Sequence, residues 1–285
     1  MALLFSTDKL ISELNRQTEV YMDGTFEVCP KIAKICQLYT IVMRVNDKSV
    51  GAVFILMTRR TKLLYKAVLI KIQELCPNLK NNLEHSMLDF ESAVQTAIKE
   101  LFPKWQIHGC WFHSKKAMKK RWKTLKLKEA DNIILNYACC LALAPAERYY
   151  DGLEIIKNKI YEYKRVYHPK LKKFIKYLKQ YWGRRKAILC VGHLPHRTNN
   201  LCESQNSRLQ SKLGGSHPQI WNFTVQLKKT LAIEERRLVA LHAGQFIGTV
   251  MTENDKRRDR IIFRAQLNLL NTGDLEEFFK TCVDA

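Results

Sequence analysis

Between Thr18 and Val28 the side chains alternate. Val20, Met22, Phe26 and Val28 fall on one face and Tyr21, Asp23, Thr25 and Glu27 on the other, so a strand with one polar side is predicted. Gln37 to Val45 (QLYTIVMRV) and Val50 to Met57 (VGAVFILM) are β-branched and apolar and flank the turn-prone Asn46-Asp47-Lys48-Ser49, which makes the three runs an antiparallel meander. Leu63, Leu64, Ala67, Val68, Ile72 and Leu75 then recur at helical spacing until Cys76-Pro77 interrupts them. A short run from His85 to Leu88 leads into Asp89, after which Phe90, Ala93, Val94, Ala97, Ile98 and Leu101 trace a second helix ended by Pro103. Trp105 to Trp111 reads as a fifth strand, followed by a basic helix from about Phe112.

Beyond Trp111 the pattern turns helical and cationic. Leu171, Phe174, Ile175, Leu178 and Trp182 form one face, with Lys170, Lys172, Lys173, Lys176 and Lys179 around the other. Gly183, Gly192 and Pro195 mark a loop; a further helix opens at Thr198-Asn199-Asn200 and closes at Gly214-Gly215 before Pro218, and the chain from Gln219 is mostly helical. The expected organisation is an extension over 1–16, the first part of an α/β core over 17–126, and a basic all-α insertion over 127–197. The last core helices follow over 198–245 and a helical tail over 246–285.

Composition narrows the partner. With 46% hydrophobic residues, 7 Pro and 11 Gly in 285 residues, neither a disordered nor a collagen-like chain is plausible. Lys and Arg number 48 against 27 Asp and Glu, a formal charge of +21, which favours a polyanion: nucleic acid first, an anionic membrane surface second. From Trp111 to Cys190 there are 21 Lys or Arg against 6 Asp or Glu, so these residues hold +15 of the surplus. The opening MALLFSTDKLISEL has neither a basic n-region nor a small-residue cleavage site, and no apolar run reaches the roughly 18 residues of a bilayer span. Pro169 to Trp182 is the one fair candidate for a helix lying on a membrane. Nine cysteines without a regular framework read as reduced thiols of a cytosolic or nuclear protein.

Three acids stand out. Asp23 is mid-strand, where a buried carboxylate needs a cation or donors, although a wet polar face would explain it as well. Asp89 follows a strand and precedes a helix, a position that an N-cap would also take. Glu203 lies three residues after Asn200, the spacing of a capping box. Together they have another explanation, since two divalent cations roughly 3.5–4 Å apart that drive phosphoryl transfer need several converging carboxylates. In a sheet of this strand order the first and fourth strands are commonly neighbours, which would bring Asp23 beside Asp89. Hard oxygen donors suit Mg²⁺ or Mn²⁺.

The strings DGTF (Asp23–Phe26), QLYTI (Gln37–Ile41), F-x-LMTRRT-x-x-x-Y (Phe54–Tyr65), DFESA (Asp89–Ala93), GCWFH (Gly109–His113) and TNN-x-x-E-x-x-N-x-x-L (Thr198–Leu209) resemble, in joint order and spacing, the transposase domain of Mutator-like elements. The resemblance implies an α/β fold of the ribonuclease H-like kind, with a mixed five-stranded sheet flanked by helices and an all-α insertion before the third acid. The order β-β-β-α-β-α-β-α is the order of that fold. It implies a DDE transposase in which Asp23, Asp89 and Glu203 match the family's metal-binding acids and hold two Mg²⁺ or Mn²⁺ ions. The partners would be transposon-end and target DNA, with a homo-oligomer assembled on DNA and no membrane, and the compartment the nucleus. Family members usually carry a zinc-dependent DNA-binding module ahead of the core and many a zinc knuckle after it. About 20 residues precede Asp23 here and only Cys282 lies near the end, so a fragment, a decayed copy and a host-adopted, non-catalytic DNA-binding derivative all stay open.

Cys110-x-x-His113 matches the family's Cys-x-x-His signature, and Cys190-x-x-His193 is a second such pair. About 80 residues separate the two, farther than zinc-ligand pairs usually lie, so zinc is not expected and metal-free packing is preferred. Lys115, Lys116, Lys119, Lys120, Arg121 and Lys123, with Trp111, Phe112 and Trp122 interleaved, and Lys172, Lys173, Lys176, Arg184 and Arg185 are expected to contact DNA phosphates, which carry no sequence information. The first cluster would also serve as a nuclear import signal.

Overall fold

The structure, a computed structural model, describes residues 1–30, 35–213, 217–248, 250 and 252–283. The chain begins with β1 (Ala2–Phe5), α1 (Asp8–Leu14), β2 (Glu19–Thr25), β3 (Gln37–Val45), β4 (Lys48–Met57), α2 (Lys62–Leu75), the single turn α3 (Leu79–Asn82), β5 (His85–Leu88), α4 (Ser92–Leu101) and β6 (Gln106–Gly109). Then come α5 (Trp111–Thr124), α6 (Ile133–Cys140), α7 (Tyr149–Asn158), α8 (His168–Tyr177), the short α9 (Lys186–Leu189), α10 (Asn200–Leu213), α11 (Ile220–His242), α12 (Glu253–Thr272) and α13 (Leu275–Val283). The fold is mixed α/β and divides into two units, residues 1–107 with 198–248 and residues 108–197 with 249–285.

The strands form one mixed sheet in the order β1-β4-β3-β2-β5-β6. β2, β3 and β4 are the expected antiparallel meander, and the β3–β4 turn is tight because Asn46 (φ 47°) and Asp47 (φ 60°) take the left-handed conformation of a two-residue hairpin. β5 pairs parallel with β2. Six strands stand where five were expected: Ala2–Phe5 lies antiparallel to Phe54–Met57 at the sheet edge. Its sequence ALLF is too short and too uniformly apolar for a period of two to show.

The sheet is covered on both faces, which corrects the expectation of one wet side. Tyr21, Met22 and Asp23 are all buried. Thr40 pairs with Asp23 and Tyr39 with Gly24, so pleat alternation puts Tyr39 on the face opposite Asp23. On the Tyr39 face α2 brings Tyr65 to 5.2 Å from the Tyr39 ring, and α4 packs on α2. On the Asp23 face α10 crosses β2, β3 and β4, with α11 behind it. Phe26, expected on an apolar face, is exposed because β2 ends at Thr25. The Gly214-Gly215 stop expected for α10 lies outside the described residues.

The second unit is all-helical apart from the start of its chain. It contains α5 as well as the helices of 127–197, since α5 packs on α6, and it takes in the C-terminal helices, since α13 packs on α6 and α7. Phe279 meets Tyr137 at 5.3 Å, a pairing across the sequence that helical periodicity in either segment does not reveal. Trp182, Phe174 and Trp122 are buried, with Trp122 edge-on to Phe174. Gly192 marks the tightest approach: a Cβ there would lie 1.9 Å from the Leu143 carbonyl oxygen, and Gln266 Nε2 donates to the Gly192 carbonyl at 2.6 Å. Gly192→Ala is therefore expected to destabilise this unit by about 1–3 kcal/mol, the cost of overpacking against backbone, read as a lowered urea midpoint.

Candidate active site

All three predicted acids lie in the first unit. The parallel pairing of β2 with β5 matches Tyr21 to Met87. Two residues beyond that last pair are Asp23, still within β2, and Asp89, one residue past the end of β5; extending the register would bring the two to about one level, with strands ~4.8 Å apart. Glu203 arrives from α10. Asn199, at the N-cap position, donates from Nδ2 to the Met22 carbonyl at 3.0 Å, and Asn206 donates from Nδ2 to Asp23 Oδ2 at 2.8 Å. Glu203 is four residues after the first and three before the second, hence on the same helical face between them. Further along that face Gln210 Nε2 donates to Glu27 Oε2 at 2.9 Å.

The capping explanations do not survive this geometry. α4 starts at Ser92 with Glu91 in the N-cap position, so Asp89 stands outside the helix, held by Gln95 Nε2 donating to its backbone carbonyl at 3.0 Å. In α10 the Glu203 amide donates to the Asn199 carbonyl at 3.0 Å, which makes Asn199 the cap and Glu203 the fourth helical residue, one past the third position that a capping box uses. Glu203 Oε1 is buried and accepts no hydrogen bond. A buried carboxylate oxygen in that condition is costly unless a cation satisfies it. Hard carboxylate oxygens suit Mg²⁺ or Mn²⁺, but Asp23, Asp89 and Glu203 do not form, among the described residues, a cluster of ligand atoms within 4.8 Å of one another.

The remaining motifs brace this region. Arg60, of the TRRT string, lies over the Phe26 ring at 5.1 Å and 4.0 Å from Glu91. Gln37 Nε2 donates to the Tyr65 hydroxyl at 2.7 Å, and burial raises the Glu91 pKa. Asn199 and Asn206 were present in the recognised string but had no role assigned from sequence; a polar residue four before and three after the acid was the available signal. Asn206→Ala should leave Asp23 without its orienting donor. By analogy with residues that orient metal ligands, the Mn²⁺ concentration giving half-maximal thermal stabilisation is expected to rise at least about tenfold.

Cys110 precedes α5 and His113 follows one turn on, both in the second unit. Cys190 and His193 do not join them in a four-ligand cluster among the described residues. The Cys190 thiol donates to the Leu141 carbonyl at 3.5 Å, and burial pushes its pKa up to about 12.

The predicted phosphate-contacting cations belong to the same unit. Lys116, Lys119, Lys120, Lys123, Lys172, Lys173, Lys176 and Arg184 are exposed, and Lys115, Arg121 and Arg185 half-buried. Trp111 and Trp122 are core residues while Phe112 is exposed. Lys115 Nζ sits 3.7 Å from the Trp111 ring centroid, and burial lowers its pKa.

Residues 19–117, from the start of β2 into α5, match the family model described as the MULE transposase domain. This segment is a MULE transposase domain. The match contains Asp23 and Asp89 and ends before Glu203. No curated protein matches the chain. No helix among the described residues is long and apolar enough to cross a membrane.

Proposed function

We propose that the chain is the catalytic core of a DDE-type transposase of the Mutator-like class, with a ribonuclease H-like sheet and with Asp23, Asp89 and Glu203 as the residues that would hold two Mg²⁺ or Mn²⁺ ions. What supports the reading is the parallel β2–β5 register, whose last pair lies two residues before Asp23 and Asp89, together with the α10 face on which Asn199 and Asn206, on either side of Glu203, hydrogen-bond to β2. The sheet order supports the fold, because the meander β4-β3-β2 continues into the parallel strand β5 beside β2. The MULE transposase domain supports action on DNA.

Bound divalent ions would supply charge stabilisation to the phosphodiester and activation of the attacking oxygen. The protein's part is positional. Asn206 fixes one oxygen of Asp23, Asn199 ties the start of α10 to β2, and the helix thereby holds Glu203 in place. In the first step a water oxygen bonds to phosphorus as the 3′ oxygen leaves; in the second that 3′-hydroxyl oxygen bonds to a target-DNA phosphorus as the target strand's own 3′ oxygen leaves with a proton. Lys116, Lys119, Lys120 and Lys123 on α5 and Lys172, Lys173 and Lys176 on α8 would neutralise backbone phosphates, releasing counterions. On this reading the protein works in the nucleus and assembles as a homo-oligomer on DNA.

The test is a nicking assay on linear duplex DNA with Mg²⁺ or Mn²⁺. Metal-dependent nicks are the expected result. Salt-sensitive binding without cleavage under either metal would replace the enzyme by its alternative, a non-catalytic DNA-binding derivative.

A further inference from the structure

In the second unit α8 runs directly into a single π-turn, Leu178–Trp182. The wider turn seats Trp182 fully in the core, where it meets the Tyr181 ring edge-on at 5.0 Å. Such turns are rare and recur at functional sites. Beside this one is a pair of stacked tyrosines: Tyr177 and Tyr181 lie 5.5 Å apart between centroids with 16° between their planes. Each ring carries a guanidinium, Arg121 at 5.6 Å from Tyr177 and Arg185 at 4.2 Å from Tyr181. Arg185 is held there by donating to the Tyr181 carbonyl at 3.0 Å.

Ordinary packing does not explain this patch. Tyr181 is 37% exposed. Lys176, Lys179 and Arg184 around it are exposed, and none of these three, nor Arg121 or Arg185, forms a salt bridge among the described residues. Arg121 Nε is buried without an acceptor. Cations alone would suit a duplex, whose bases are stacked inward. An exposed tyrosine stacked on a half-buried one, each with a guanidinium group over its ring, suits a strand whose bases are free to stack on the rings or guanidinium planes.

We propose that Tyr177 and Tyr181, with Arg121 and Arg185, form a stacking platform for unpaired DNA. This deepens the reading that the chain acts on DNA, and rests on it. The test is fluorescence anisotropy on the full chain, with an unpaired oligonucleotide of about 16 nucleotides and a duplex of equal length. The wild type is expected to bind both. Tyr181→Ala should weaken binding of the unpaired strand about tenfold and change duplex binding less than about twofold, while Tyr181→Phe, which keeps the ring, should bind as wild type. Tyr181→Leu keeps apolar bulk without a π face and should repeat the alanine result; it stands in where the alanine variant does not fold. Undiminished binding of the unpaired strand by Tyr181→Ala or Tyr181→Leu, or equal losses on both probes, overturns the platform. A wild type that binds duplex and not the unpaired strand also overturns it while leaving the DNA reading intact; binding to neither removes both.

Discussion

Asp23→Asn, Asp89→Asn and Glu203→Gln are each expected to lower metal-dependent DNA nicking by at least about 10³-fold, the equivalent of the several kcal/mol that metal ions contribute to phosphoryl transfer at ~1.4 kcal/mol per tenfold. The substitutions are isosteric, so α10 and the sheet should keep their packing. Asp23 is buried at 8% exposure, and removing its charge relieves a desolvation cost. The metal-free Tm of Asp23→Asn is accordingly expected to equal or exceed that of the wild type. Mn²⁺ should raise the wild-type Tm by mass action and raise that of the three variants much less. Duplex binding should be unchanged, because the predicted phosphate contacts lie in the helical unit. A variant that still nicks at wild-type rate, or a wild-type Tm that ignores Mn²⁺, would remove the acids from the site.

Much of the first unit was legible because strong local signals and the fold agree. QLYTIVMRV and VGAVFILM become β3 and β4, and the turn between them needed only Asn46 and Asp47 in left-handed conformation. The neighbouring of the first and fourth expected strands, β2 and β5, followed from strand order. Burial could not be read: Tyr21 and Asp23 looked like a solvent face because period two reports alternation and not what covers it. Here α10, about 180 residues later in the chain, supplies the cover. The capping readings of Asp89 and Glu203 rested on one-residue registers, which sequence resolves poorly at helix ends. β1 was missed for lack of a period. In the second unit the charge surplus was plain, yet the stacked tyrosines were not, since i,i+4 spacing makes two rings neighbours without fixing how their planes meet.

The largest expected loss of stability is at Glu234, a residue that the sequence does not single out. It lies in α11 with no solvent exposure, and it gathers groups from three elements. Its Oε2 accepts from the Gly51 amide at 3.0 Å, beside a register shift in the β3–β4 pairing, and its Oε1 accepts from Gln205 Nε2 at 3.2 Å. Arg208 Nη2 approaches to 3.8 Å and also donates to Gln205 Oε1, while Arg237 Nε donates to the Ser49 carbonyl at 2.8 Å. Burial lowers the Arg208 pKa and the Glu234 carboxylate opposes that effect. Glu234→Ala leaves a buried backbone amide and a buried side-chain amide without their acceptor and a half-buried cation without its counter-charge, a loss of about 3–5 kcal/mol when one partner of a buried pair is removed. At roughly 2–4 °C per kcal/mol the Tm should fall by about 10 °C. Glu234→Gln, which keeps one acceptor oxygen and the volume, should cost less than half as much, and a Glu234→Ala protein with wild-type Tm would refute the network. Because Gln205 and Arg208 stand on α10 next to Asn206, the same lesion should loosen Glu203. Nicking by Glu234→Ala is therefore expected to fall more steeply than duplex binding even well below its Tm.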